Sequence, residues 1–216
     1  MVKKNLAPKQ ARSKESLERL LKGTAEVLNE KGLKGATIPR IAARAGLSPA
    51  ALYRRFADKE ALLREVFLKI MEKNEERTRL SLTPELARGS SLKFFIDLII
   101  RNSLISHRRH AGLIRAMHQF VSEDSNMAFR RKFEEVESKN IRTVASFLLH
   151  YRAEIKHPDP EKALAFALVN VGLAVREIVL ERPVSENWAL LLPRSDDQLV
   201  PELTRMALGY LGVESR

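Results

Sequence analysis

Residues 37–59 read TIPRIAARAGLSPAALYRRFADK, and this stretch decides how the chain is built. Thr37 offers a hydroxyl cap to a helix whose first turn tolerates Pro39, because the N–H that proline lacks would have no intrahelical partner there. Ile38, Ile41, Ala42 and Ala45 recur at helical spacing and form one apolar stripe. Gly46 supplies the left-handed residue that ends this helix, and Leu47 turns into the core. Ser48 and Pro49 then give a second cap followed by proline at the first helical position. The spacing predicts a short second helix from Pro49 to about Phe56, with Leu52 and Phe56 facing inward. Asp58 caps a third helix and Lys59 lies in its first turn.

Two capped helices joined at a glycine also fill the cores of many domains that bind nothing. The outer face separates the two readings. Ser48 to Arg55 contains no acid, whereas a solvated helix face usually mixes acids with bases. Ala50 and Ala51 are small enough for close backbone approach to base edges. Tyr53, Arg54 and Arg55 bring a phenol hydroxyl and two guanidinium groups suited to phosphate and guanine acceptors. The stretch reads as a probe for the major groove of double-stranded DNA.

The pattern I-A-x-x-A-G-L-S-x-x-x-L-Y-R-R-F-x-D-K-E-x-L resembles the N-terminal domain of the TetR family of bacterial transcriptional regulators, and the resemblance covers roughly residues 12–70. It implies a three-helix domain carrying a helix-turn-helix. It also implies roles for single residues. Thr37 would touch a phosphate, and Ser48, Pro49, Ala50 and Ala51 would stand at the entry of the recognition helix. Tyr53 would bond a phosphate, Arg54 would lie on the same outer surface, Arg55 would reach a base or phosphate, and Lys59 would anchor the backbone from the next helix. Proline stands at 49 where the family often has lysine, and arginine at 55 where histidine is common. The operator sequence therefore does not transfer from relatives.

Composition agrees with a DNA-binding chain. Its 216 residues carry a net charge of +11, and a length of this order builds one or two compact domains. Residues 1–70 hold 16 bases and 7 acids, a balance of +9, against +2 for residues 71–216. Lys3, Lys4, Lys9 and Arg12 place a basic arm at residues 1–12, which either tracks the duplex or merely solubilises the chain. There is no cysteine, which removes disulfides, thiol catalysis and zinc-cysteine sites. No apolar run approaching the roughly 20 residues of a membrane span is expected, and the N-terminal stretch lacks a hydrophobic secretion core. The expectation is a cytoplasmic protein.

The remainder reads as helices, giving an all-α fold. Residues 13–60 form the helix-turn-helix domain, with residues 16–31 bracing it through Leu17, Leu20, Leu21, Ala25 and Leu28. Residues 61–216 form a C-terminal helical domain for effector binding and dimerisation. A helix from Asp58 toward residue 80 leads into it, and further helices are expected at 91–107, 110–122, 125–154, 160–181 and 197–212. The stretch 160–181 is apolar almost all round, so a surface position is not expected for it. In the family it resembles, the last two helices of each subunit form a four-helix dimer interface. That implies a homodimer; burial of both helices within one monomer is the alternative. A two-fold dimer places recognition helices about 34 Å apart, one DNA turn.

A regulator also needs an input, and the middle helices offer an apolar cavity with a few polar groups. The candidate lining is Phe94, Leu98, Asn102, Met117, His118 and Phe133, together with Phe166, Asn170 and Trp188. A buried amide such as Asn170 also commonly satisfies a neighbouring backbone group. His107 and His110 stand three apart, but Arg108, Arg109 and Arg115 repel a cation and no carboxylate completes a ligand set, so no metal and no cofactor are expected. No catalytic motif is present, and an enzyme is not expected. The resemblance thus implies a sequence-specific regulator, in its fullest form a homodimeric repressor released from operator DNA by a small-molecule effector. The alternatives are DNA binding under a protein partner or in an architectural role, and an all-α enzyme.

Overall fold

The computed structural model of the chain describes residues 6–181, 191, 193 and 195–213. It contains nine α-helices and no strand among these residues. They are α1 (Leu6–Gly35), α2 (Ile38–Ala45), α3 (Pro49–Tyr53), α4 (Lys59–Ser81), α5 (Leu92–Arg109), α6 (Ala111–Glu123), α7 (Met127–Leu148), α8 (Pro160–Arg176) and α9 (Asp196–Leu211). The first helix begins at Leu6, so residues 6–12, expected as part of an arm, are helical.

The chain packs as two compact units. The first takes residues up to Lys73 together with Gly112–Phe133. The second takes Asn74–Ala111 and the chain from Glu134 onward. Residues 13–60 thus share their unit with the start of α4, nearly all of α6 and the first turns of α7.

The first unit is built on the apolar stripes of α1, α2 and α4. Leu20, Leu28, Ile41, Leu52, Leu62, Leu63 and Phe67 are fully enclosed with Phe56 at their edge, and α6 adds Leu113, Met117 and Phe120. Phe67 meets Phe120 with ring centroids 5.4 Å apart. Two glycines allow backbones to approach. A Cβ on Gly23 would stand 2.9 Å from the Ala45 nitrogen, and one on Gly112 would stand 2.2 Å from the Asn29 carbonyl oxygen. The Leu113 N–H donates to Asn29 Oδ1 at 3.2 Å, fixing the start of α6 on α1.

Asp124, in the break between α6 and α7, is buried. Arg64 on α4 grips it with two bonds, Nε to Oδ2 at 2.6 Å and Nη2 to Oδ1 at 2.9 Å. The bond from Arg64, which outweighs the burial that opposes it, holds the Asp124 carboxyl below the usual carboxylate range.

In the second unit α8 and α9 pack on α5 around Phe95, Ile100, Leu104, Leu164, Val171, Val175, Leu203 and Leu211. The expected single helix over 125–154 ends at Leu148, and a 3-10 turn continues from Leu149 to Glu154. Tyr151 forces this change: its backbone leaves helical geometry and its hydroxyl donates to the Ala87 carbonyl at 2.8 Å. Phe95 packs edge-on against Phe147 at 4.9 Å.

Two expectations about residues 160–181 are corrected. The run Pro160–Leu180, which contains an 18-residue window of mean hydropathy 1.9, is long and apolar enough to cross a membrane by length and composition, where no such run is expected from the sequence pattern. Nor is it buried all round. Ala163, Leu164, Ala167, Val171 and Val175 face the core, while Phe166, Val169 and Leu173 are exposed. The apolar pattern reports two buried sides only if another surface covers the second one.

Candidate nucleic-acid interface

The frame of the motif matches the spacing of its residues closely. Ile38, Ile41, Ala42 and Ala45 are buried on α2. Gly46 sits at φ 64°, ψ 38°, and its N–H and that of Leu47 bond back to carbonyls of α2. Ser48 Oγ accepts the Ala51 N–H at 3.2 Å, and Pro49 occupies the first turn. A Ser cap of this kind is worth about 1 kcal/mol to a helix. On a five-residue helix that is decisive. Asp58 Oδ1 likewise accepts the Ala61 N–H at 2.6 Å. Thr37 departs from expectation: it is exposed and extended, and its side chain makes no cap bond. Pro39 and the tertiary burial of Ile38 and Ile41 start α2 without it.

Helix α3 ends at Tyr53 rather than near Phe56, because Arg54–Phe56 close in tighter turns while Leu52 and Phe56 stay buried. Ala50, Tyr53, Arg54 and Arg55 are exposed and Ala51 is half-buried. Tyr53 is 56% exposed, high for an aromatic side chain with no solvent-facing role in packing.

The cations around this face differ in what they hold. Arg54 has no side-chain partner among the described residues. Arg55 Nη2 meets the carboxylate of Glu65 on α4, and its guanidinium lies 5.1 Å from the Phe56 ring centroid. Lys59 Nζ donates to the Leu33 carbonyl at 2.7 Å and is half-buried. Arg44 forks onto Glu30 at 2.7 and 2.8 Å and reaches Glu26 at 3.2 Å, which raises its own pKa and lowers that of Glu30. Arg19 on α1 brings Nη1 to 3.7 Å from the Cβ position of Gly46, beside the turn that precedes α3. Apart from the Arg55–Phe56 contact, none of these pairings is visible in local sequence, since the partners lie between 10 and 27 residues away. The two bases with local signals, Arg54 and Arg55, end in different states for that reason.

The described residues among the expected effector set fall in both units. Phe94, Leu98 and Asn102 lie along the exposed side of α5, and Phe166 is exposed on α8. The Asn170 amide donates to the Phe166 carbonyl at 2.8 Å, one turn back along its own helix. Met117 and Phe133 belong to the core of the first unit, and His118 is half-buried on α6 in that unit. Trp188, Lys3 and Lys4 lie outside the described residues. Apolar character along a helix does not say whether its face meets a ligand, a core or a second subunit, and here those uses differ residue by residue. Among the described residues no group of three or more histidine, aspartate or glutamate side chains is placed to hold a metal ion.

Comparison with known proteins places this arrangement. The family model described as bacterial regulatory proteins, tetR family, matches residues 20–66. The HTH-type transcriptional regulator BetI of Escherichia coli O157:H7 is 24% identical over 176 residues, covering 81% of this chain and 88% of that protein. The nucleoid occlusion factor SlmA of Pectobacterium carotovorum subsp. carotovorum (strain PC1) is 26% identical over 197 residues, covering 86% and 98%. Among solved structures, a TetR-family transcriptional regulator from Mesorhizobium loti aligns with a TM-score of 0.65 at 20% identity, over 93% of this chain and 95% of that one. The regulator FadR from Bacillus subtilis, in complex with stearoyl-CoA, aligns with a TM-score of 0.60 at 20% identity, over 90% and 96%. With a capped short helix, a glycine turn and an acid-free outer face, residues 20–66 match the tetR family of bacterial regulatory proteins, and the chain as a whole shares its fold with solved TetR-family regulators.

Proposed function

We propose that the chain is a sequence-specific DNA-binding transcriptional regulator acting in the cytoplasm, a homodimeric repressor that leaves its operator when a small-molecule effector binds. The observation that carries the reading is α3: a short helix held by the Ser48 cap and by buried Leu52, presenting Ala50, Tyr53 and Arg54 to solvent with no acid between Ser48 and Arg55. Thr37, Ser48, Pro49, Ala50, Ala51, Tyr53, Arg54, Arg55 and Lys59 are the proposed contact surface. Residues 13–60 serve as the reading head, and the chain from residue 61 onward serves control and assembly.

Dimerisation through α8 and α9 is supported by the apolar surface they leave open. Phe166, Leu173, Met206 and Tyr210 are 55%, 47%, 49% and 42% exposed. Phe166 and Tyr210 stack with centroids 5.2 Å apart. A Cβ on Gly172 or Gly209 would meet nothing within 4 Å. Such a patch is what a second copy covers in an isologous interface. An effector then acts only by favouring one spacing of the two reading heads, and a coupling of about 1 to 3 kcal/mol makes a usable switch. A regulator of similar fold is named in complex with stearoyl-CoA, which supports a small-molecule input.

The test is selection of bound duplexes from random or genomic DNA, followed by a screen for compounds that release them. Tyr53→Phe and Lys59→Ala should weaken binding to all duplexes, and Arg55→Ala should also relax base preference. Unchanged affinity in all three variants removes the contact surface. The relative named a nucleoid occlusion factor favours a second reading, in which a protein partner rather than a small molecule controls the DNA-bound dimer. Release by a compound in a purified system decides between them.

A further inference from the structure

A groove of about 700 Å³ opens in the second unit, lined by none of the residues expected to line an effector cavity. Its walls are the first turns of α5 (Ser91, Lys93, Asp97), the close of the 3-10 turn and the segment beyond it (Ala153, Glu154, Lys156), and α9 with its C-terminal extension. A volume of this size lies within the range of about 300–1,000 Å³ found for ligand pockets.

The polar groups of the groove are unequal in what they have left to give. Asp97 accepts the hydroxyl of Thr204, a side chain only 2% exposed. Both oxygens of Glu154 accept the Leu92 N–H, at 3.3 and 3.4 Å, where the positive end of α5 offsets the charge. Arg205 is bound to Glu202, three residues back on its own helix, at 2.8 and 2.9 Å. The two acids are therefore turned toward protein donors. Lys93, exposed, has no partner among the described residues, and Lys156, exposed and already engaged elsewhere, also lines the groove. Ala153, Pro201, Leu208 and Val213 add an aliphatic lining.

We infer that this groove is the effector site, and that the effector is an organic anion with an aliphatic body: its acid group held by Lys93 and Lys156, its chain laid on Leu208 and Val213. An ammonium or neutral head would leave Lys93 unpaired and lose the attraction that the groove supplies. This inference rests on the proposed small-molecule control and names its site and chemical class. The groove joins the N-terminal end of α5 to α9, so an occupant bridging Lys93 and Lys156 acts on a helix of the proposed dimer surface.

The experiment uses the full chain, with decanoate, decylamine and decanol as probes below their aggregation limits. Calorimetry should show one decanoate per chain, with at least tenfold weaker binding of decanol and none of decylamine. Lys93→Glu and Lys156→Glu should each lower decanoate affinity at least tenfold. Arg142→Glu makes the same charge change on exposed α7 outside the groove and should have no effect. Ala153→Phe, which fills the groove without altering charge, should weaken binding of every probe; unfolding curves confirm that the variants fold. In parallel, decanoate should lower affinity for a selected duplex in the parent and not in Lys93→Glu. The inference is overturned by an absence of decanoate binding, by equal binding of decylamine, by indifference to the groove variants, or by binding that leaves DNA affinity unchanged. In any of these cases, tight duplex binding by the free protein and release by some other compound would leave the proposed function standing.

Discussion

Replacing Asp124 by asparagine removes one charge from the clamp between α4 and the end of α6 and almost nothing else. The side chain keeps its shape, and Oδ1 can still accept the Asn126 N–H that Asp124 accepts at 2.8 Å. What is lost is the partner of Arg64. The Asp124 side chain is 2% exposed and that of Arg64 26%, so the pair is mostly out of water and its bonds are two and well formed. Breaking a buried pair by removing one partner costs about 3 to 5 kcal/mol. Because Arg64 can turn partly to solvent, the lower end applies, about 3 kcal/mol at neutral pH. For a chain of this length each kcal/mol moves the melting temperature by about 2 to 4 °C, so the variant should melt about 6 to 12 °C below the parent. The pH dependence has a definite sign. The folded-state pKa of Asp124 is depressed, chiefly by the bond from Arg64, relative to an unfolded value of about 3.9. Its stabilisation is complete above the unfolded value and disappears as pH falls through the lower folded one. Calorimetric or denaturant unfolding of both proteins from pH 7 to pH 3 should show the gap narrowing only below about pH 4. A gap under about 1 kcal/mol at pH 7, or one indifferent to acid, would refute the assignment of a stabilising buried pair.

Other perturbations read different parts of the molecule. Gly112→Ala should destabilise by about 1 to 3 kcal/mol, since its Cβ would stand 2.2 Å from the Asn29 carbonyl oxygen and backbone must move; thermal melting checks this. Glu65→Gln should release Arg55, tightening binding to all duplexes and steepening the salt dependence by about one phosphate contact, as measured by anisotropy across a salt series. Leu173→Glu with Met206→Glu should shift sedimentation to the monomer and abolish full-site affinity while leaving each chain folded, because both side chains are exposed within one chain.

The helix-turn-helix was legible because its signals are local. A hydroxyl followed by proline at 48 and 49, glycine at 46 and aspartate at 58 each satisfy backbone groups within a few residues, and the structure realises all of them. Thr37 shows the limit: the same kind of signal was not used, because burial of Ile38 and Ile41 already fixes the helix start. The proposed contact face was legible as composition but not as a set of free groups. Arg55 and Lys59 have partners on α4 and in the α1 end region, and such pairings depend on which helices cross. The chain from residue 61 onward was least legible. Periodicity located its helices, yet it gave Phe166 and Phe133 the same apolar weight, and only packing exposed one and buried the other.

Taken alone, the order of residues determined an all-helical chain, the positions of most helix ends, the turn at Gly46 and the excess of positive charge in residues 1–70, all of which are local properties of the sequence. Tertiary structure decided which unit α6 joins, that Asp124 is a buried anchor, which arginines are already paired, and where the 700 Å³ groove opens. These depend on contacts between residues tens of positions apart. Their energies come from desolvation and close packing, which exist only once the helices have met.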